Sequence, residues 1–461
     1  MTALLNPRVS VSLDGPLARS LAAAEPLDEF EAWFAERRAA HAFRVGQAPL
    51  EALDDWSFDP VTGNLGHRSG RFFTIEGLRV TAAGRTHEQP VIRQPEVGIL
   101  GILTRTVDGI PRFLMQAKME PGNPGLLQLS PTIQATYSNY TGVHGGQPVR
   151  FLDHFRRPDR GRVVTDVLQS ENGCWFLHKR NRNMIVQVDE EVEPHPDFHW
   201  LTLGQLGALL RRDNTVNMDA RSVLACLPLA GPAPSSAGRA DGTAGDDARY
   251  SDTELRSWFT AELARRHTRT QLVPLAELAD WRREDGTIRH RTGRYFDIVG
   301  ITAEAASREV ARWSQPLLRP HGQGLAAFLT RRIDGIPHLL ARASAEAGLS
   351  NGMEIGPTVQ HIPGDCGQPD RVPFLDLVRD ADPSAIRYDA VHSDEGGRFQ
   401  HSESRYLVVE TDDDQVPLDP PPGYLWLTPG QLNSLVQHQS YVNVQARTLL
   451  ACLGLGAVTR P

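Results

Sequence analysis

Cysteine is scarce. The 461 residues hold four, Cys174, Cys226, Cys366 and Cys452, and none is in a CxxC spacing. Neither a disulfide scaffold nor a cysteine-held zinc is expected. Basic charge is also short: Lys plus Arg number 48 against 56 Asp plus Glu, a net of −8. That balance argues against a general binder of nucleic acid or of an anionic membrane, both of which want basic stripes. No window approaches the ~20 apolar residues of a membrane span. The opening MTALLNPRVSVSLDGPLARSL has no uninterrupted apolar core and no basic start, so a cytoplasmic protein without a secretory leader is expected. There is no GxGxxG after a strand, no Walker motif and no HExxH, so no nicotinamide, P-loop or metal site is visible. What remains is 40% hydrophobic and 23% charged residues, enough apolar side chain for real cores and too much for a disordered chain. Forty glycines and 33 prolines predict many turns.

The chain is one unit written twice. Trp33-Phe34 recurs as Trp258-Phe259, PLEALDDW from Pro49 as PLAELADW from Pro274, and HRSGRFF from His67 as HRTGRYF from His290. DGIP recurs from Asp108 to Asp334, WLTLGQL from Trp200 as WLTPGQL from Trp426, and LACL from Leu224 to Leu450. The separations stay between 223 and 226 residues, far beyond a solenoid period, so a whole domain is duplicated. An extension over 1–27 precedes a first repeat over 28–227. A Gly/Ala/Pro/Ser-rich linker is expected over 228–252, and a second repeat over 253–461.

Within each copy the patterning is mixed. Asp28 to His41 has helical spacing with Phe30, Trp33 and Phe34 on one face. Asp108-Gly109 between two apolar runs predicts a hairpin. Thr202 is placed to cap a helix, and Met218 to Leu227 reads as another. Strands and helices do not alternate regularly, so the fold class is α+β.

The candidate chemistry lies in Leu127 to Tyr140, LQLSPTIQATYSNY. Read as a strand, it puts Gln128, Ser130, Thr132, Gln134, Thr136 and Ser138 on one face and a mostly apolar set on the other. Uncharged amides and hydroxyls suit a pyrimidine base and sugar hydroxyls; the bland alternative is a solvated sheet face. Pro131 predicts an edge or a bend there. Asn139 and Tyr140 follow. Upstream, Lys118 and Glu120 are two apart, on one face if extended, able to hold a phosphate and move a proton or merely to form a surface ion pair. At the matching positions Lys118 becomes Ser344, Gln128 Glu354, Ser130 Gly356, Thr136 Ile362, Ser138 Gly364, Asn139 Asp365 and Tyr140 Cys366, while Thr358 and Gln360 are kept. If the row does chemistry, copy one is the working site and copy two a degenerate pocket holding Trp281, Arg319, Thr358, Gln360 and Ser393. Trp56 and Trp281 are candidates for stacking on a base, or core residues. Arg93 and Arg319 are candidate phosphate ligands. Cys226 and Cys452 read as buried thiols.

QAKMEPGN from Gln116, QLSPTIQATYSNYTGVH from Gln128 and WLTLGQL from Trp200 resemble the NDP-hexose 2,3-dehydratase family over about residues 28 to 455. The resemblance implies two tandem Nudix-like mixed-sheet domains, a homodimer and a dTDP-4-keto-6-deoxy-glucose substrate. It further implies removal of the carbon 2 hydroxyl as water without metal or redox cofactor, in deoxysugar biosynthesis that serves antibiotics and other glycans. One departure is Tyr137, where the family pattern has a basic residue. No glutamate-rich REUxEExGU helix is present, so diphosphate hydrolysis is not expected. On this reading Lys118 is carbonyl or phosphate electrophile, Glu120 base and Tyr140 acid, with Trp56, Arg93, Gln128, Ser130, Thr132, Gln134, Thr136, Ser138 and Asn139 around the substrate. The alternatives are a nucleotide-sugar epimerase or hydrolase, and a non-catalytic nucleotide-sugar binding protein.

Overall fold

A computed structural model describes residues 15–456, except 24, 41, 83, 141–148, 229–247, 306–310, 363–371 and 413. Most of the expected linker therefore lies outside the described residues. Ser251 already caps the helix Asp252–Arg265, its side chain accepting from Glu254 N in a capping box.

Each half is built on a mixed sheet. In the first, Arg180–Gln187 runs parallel to Gly98–Val107, which forms a hairpin with Ile110–Met119. The turn is the expected one: Asp108 and Gly109 both have positive φ, 52° and 77°, as a type I′ turn requires. The second half repeats this with Glu403–Glu410, Gly324–Ile333 and Ile336–Ala345. Helices follow where the patterning placed them. Phe30 and Phe34 of Asp28–Ala40 are buried, and Thr202 and Gln205 form a capping box on Leu203–Leu209.

The expected strand over Leu127 to Tyr140 is not continuous. Leu127–Ser130 pairs with Ile110–Met119, the chain bends at Pro131, Ile133–Ala135 pairs with Gly98–Val107 instead, and Tyr137–Tyr140 is a turn of helix. Proline has no N–H for a ladder and a fixed φ, so the chain leaves one neighbour there and joins another.

The halves also exchange strands. Phe43–Ala48 of the first pairs antiparallel with Phe296–Ala305 of the second, and Thr268–Val273 of the second with Thr74–Ala82 of the first. Each exchange carries an indole across: Trp56 Nε1 donates to Ser314 O at 2.9 Å and Trp281 Nε1 to Glu88 O at 3.0 Å. Helices Met218–Ala225 and Val444–Gly456 meet at the seam in one apolar cluster that includes Leu224, Cys226, Leu450 and Cys452. Burial pushes both thiols up to about 11, so both cysteines stay protonated at neutral pH.

Candidate active site

A cavity of about 520 Å³ opens between the halves, lined by residues of both. Lys118 and Glu120 lie at and just past the end of Ile110–Met119, and the period of two puts them together: Lys118 Nζ is 3.5 Å from Glu120 Oε1. Gln134 Nε2 donates to the same Oε1 at 3.1 Å. The orientation of that amide is set from behind, because Gln134 Oε1 accepts from Ser130 Oγ at 2.8 Å and Asn217 Nδ2 at 3.2 Å. Asn217 in turn caps Met218–Ala225 by accepting from Ala220 N at 2.8 Å. A helix cap thus positions, through one amide, a carboxylate that is only 5% exposed.

The second half contributes charge. Arg398 lies 4.3 Å from the centroid of the Phe73 ring and donates to Gln94 Oε1 at 3.0 Å. Glu395, three residues earlier, lines the same cavity, as do Lys179, Asn181 and Asp219 of the first half. Lys179 Nζ donates to Glu96 O at 2.5 Å and to Asn181 Oδ1 at 2.9 Å, and Asn181 Nδ2 donates to Glu171 Oε1 at 2.6 Å. Burial holds Lys179 below and pushes Glu395 above their usual ranges. Burial raises Glu171 to about 7, and burial with the neighbouring carboxylates lifts Asp219 well above its range. Oδ1 of Asp219 and Oε2 of Glu171 have no hydrogen-bond partner among the described residues. Enclosing this many ionisable groups works against stability. Such concentrations of shifted carboxyls and amines occur at sites of proton transfer and anion binding, and in structural ion networks as well. Among the described residues no group of three His, Cys, Asp or Glu is placed to hold a metal ion.

Of the residues singled out in the sequence, Lys118, Glu120, Gln134, Thr136 and Trp56 line the cavity. Ser130 stands one hydrogen bond behind it. Gln128 is fully buried and faces the other half, its Nε2 donating to Ser393 Oγ at 2.8 Å. Thr132 Oγ1 donates to Leu114 O and accepts from Leu103 N, pinning the bend after Pro131. Thr358 repeats both bonds with Leu340 O and Leu329 N. Ser138 donates through its backbone N–H and hydroxyl to the Glu96 carboxylate. Arg93 pairs with Glu76 at 3.3 Å and Arg319 with Asp297 at 2.8 Å. The row is therefore not one wall: the bend sends its members to different neighbours. The side chains of Asn139 and Tyr140 lie outside the described residues, as does Cys366. The patterning missed Lys179, Asp219, Glu395 and Arg398. The repeat itself carries their signal: the matching positions are Ser402, Gln445, Asn172 and Trp175, so each is charged in one copy only.

The twin location explains that difference. Where Arg398 lies over Phe73, Trp175 packs edge-on against Phe296 at 6.4 Å and tilts on Phe399 at 5.0 Å. It is 1% exposed, in an apolar cluster with Cys174 and Ile362. Gln360 still donates to Glu346 Oε1 at 2.9 Å and Asn443 to Gln360 Oε1 at 2.8 Å. Gly173 N donates to the other Glu346 oxygen at 2.8 Å. The scaffold of Asn, Gln and Glu survives, closed over by an indole.

The family model described as NDP-hexose 2,3-dehydratase matches residues 27–227 and again 252–453. A dTDP-4-dehydro-6-deoxy-alpha-D-glucopyranose 2,3-dehydratase of Amycolatopsis orientalis is 49% identical over 445 residues, covering 93% of this chain and 90% of the relative. Relatives of the same name from Streptomyces violaceoruber and Saccharopolyspora spinosa are 50% and 46% identical. The first covers 92% of this chain and 96% of the relative, the second 93% and 91%.

Proposed function

The chain belongs to the NDP-hexose 2,3-dehydratase family, and from that premise we propose that it converts dTDP-4-dehydro-6-deoxy-glucose to a dTDP-3,4-diketo-2,6-dideoxy sugar. The ketone at carbon 4 acidifies the carbon 3 hydrogen. A base removes it, the enolate expels the carbon 2 hydroxyl with a proton from an acid, and the resulting enol tautomerises. One water leaves and the oxidation level is otherwise conserved.

The observation that carries this reading is the convergence of Lys118, Glu120 and Gln134 on one walled cavity beside two more cations, Lys179 and Arg398. A carboxylate held by an amide and an ammonium in a cavity can accept a proton from carbon. Lys118 is positioned to stabilise the enolate oxygen, and guanidinium with ammonium suits a diphosphate. Tyr140 is a candidate acid on its place in the motif alone. The tandem Nudix-like ancestry, the boundaries at 28–227 and 253–461, a homodimer, a cytoplasmic setting and a place in deoxysugar biosynthesis belong to the same proposal, and the mixed sheet in each half is compatible with them.

The test is incubation with the 4-keto substrate in deuterated water. Dehydration lowers the mass by one water and puts deuterium on carbon 2. Epimerisation leaves the mass unchanged apart from exchange, hydrolysis releases nucleotide, and a binding protein returns intact substrate. Lys118→Ala and Glu120→Gln are expected to lower kcat by about 100-fold or more, with Tyr140→Phe as the companion test of the acid.

A further inference from the structure

Glu120 does not face the cavity alone. A side chain begun at Gly397 would start 3.2 Å from Glu395 Oε1 and 3.7 Å from Glu120 Oε1. One oxygen of each carboxyl group, one from each half, therefore lies beside Gly397, whose lack of a side chain leaves that space open. Their surroundings differ. Glu120 is tied to Gln134 and Lys118. Glu395 follows the deeply buried Asp394 and has Arg398, Lys179 and Lys118 as basic neighbours and Glu120, Asp219 and Glu171 as carboxyl neighbours. Its burial outweighs its cations, and its carboxyl is held above the usual range. Two carboxyls whose surroundings set them apart in one cleft are the arrangement that divides base from acid. In the other half the equivalent of Glu395 is Asn172, beside a location filled by Trp175.

We propose that Glu395, lent by the second half, is the general acid of the dehydration and hands its proton to the departing carbon 2 hydroxyl. Glu120 takes the carbon 3 proton, the carbon 3–carbon 4 enolate electrons form the carbon 2–carbon 3 double bond, the carbon 2–oxygen bond breaks, and Glu395 protonates the leaving oxygen to water. In the tautomerisation that follows, the enol hydroxyl returns a proton to the Glu395 carboxylate and Glu120 delivers one to carbon 2. Both groups end as they began and no co-reactant is consumed. The assignment rests on the proposed dehydratase reading.

The experiment compares the full-length enzyme with Glu395→Gln on two substrates, the natural 4-keto sugar nucleotide and its 2-deoxy-2-fluoro analogue. Fluoride needs no proton to leave, so the acid matters for the hydroxyl only. Glu395→Gln is expected to lose 100-fold or more in kcat on the natural substrate and less than about threefold on the fluoro analogue. In deuterated water it is expected to keep exchanging the carbon 3 hydrogen of recovered natural substrate. Glu120→Gln loses turnover of both substrates and the exchange. Unimpaired dehydration by Glu395→Gln overturns the assignment, as does equal loss on both substrates with dTDP binding retained. So does the selective pattern appearing in Tyr140→Phe instead. If the amide variant fails to bind dTDP, Glu395→Asp, which keeps the carboxyl, decides: it must retain turnover of the natural substrate within about tenfold. Should the wild type itself fail to dehydrate the natural substrate, the dehydratase reading fails, an outcome distinct from all of these.

Discussion

Ser170 and Ser393 occupy one position of the repeat and meet different partners across the seam. Ser393 exchanges hydrogen bonds with the Gln128 amide, at 2.8 and 3.1 Å. Ser170 Oγ donates instead to Glu354 Oε2 at 2.6 Å. Gln128 titrates nothing. Glu354, 2% exposed, is pushed by burial to about 7 from 4.5, against the opposing pull of Arg447. A folded-state value above the unfolded one favours the protonated fold. That contribution is complete below about pH 4.5 and is lost as pH rises through about 7. The difference corresponds to roughly 3 kcal/mol. Glu354→Gln, which copies the twin's pair, should therefore be nearly neutral at pH 4.5 and stabilise by about 1–3 kcal/mol at pH 8.5. Urea unfolding at the two values checks this; an unchanged pH slope would remove Glu354 as its source. In the sequence this position reads as one more lost member of a polar row, because pairwise alignment cannot tell a cavity wall from a seam.

Elements that depend on their own residues were legible. The helix from Asp28, the Asp108-Gly109 turn and the Thr202 cap follow from local periodicity and turn chemistry. The strand exchange was not, for a physical reason. Phe43–Ala48 and Thr268–Val273 are copies of one strand, so exchanged and unexchanged pairings present the same pattern. Site residues divided the same way: Lys118, Glu120 and Gln134 came from one contiguous motif, whereas Glu395 and Arg398 reach the cavity only through the packing of the other half. That packing depends on two turns. Gly122 N donates to Gly396 O and Gly122 O accepts from His401 N, both at 2.8 Å, and a Cβ on Gly122 would lie 1.8 Å from Phe399 O. Gly348 repeats the contact, with a Cβ 1.7 Å from Phe176 O. Backbone cannot yield as a side chain tip does, so alanine at either glycine should cost about 2–4 kcal/mol. The two should part in function. Gly122→Ala shifts the turn that carries Glu395 and Arg398 and should lower kcat at least tenfold at permissive temperature. Gly348→Ala disturbs the indole-filled twin and should leave kcat within about twofold. Melting temperature and kcat, measured together, separate the effects.

At the scale of the whole molecule, the duplicated chain reads as two tethered domains, yet neither half closes on itself. Each sheet that receives an exchanged strand would be left with a bare edge in an isolated half. The seam holds two fully buried arginines that reach across it. Arg221 Nη2 donates to Ser393 O at 2.6 Å, Arg447 Nη2 donates to Ser170 O at 2.5 Å, and Arg447 Nε donates to Ser222 Oγ at 3.1 Å. Stripping a buried guanidinium of its partners costs about 3–5 kcal/mol each, on the scale of a whole domain's stability. Cutting the chain within 229–247 should therefore give fragments that co-express as a 1:1 complex and dehydrate the substrate, while neither half alone does so. Size-exclusion chromatography with subunit stoichiometry and the water-loss assay measure this. The informative competitor is a first half that pairs with its own copy, since the exchanged strands are interchangeable. Such a dimer could satisfy the sheet edges, but Asn172 and Trp175 would stand where Glu395 and Arg398 belong. It should fold and be inactive, and turnover by the first half alone would show that the second half supplies no chemistry.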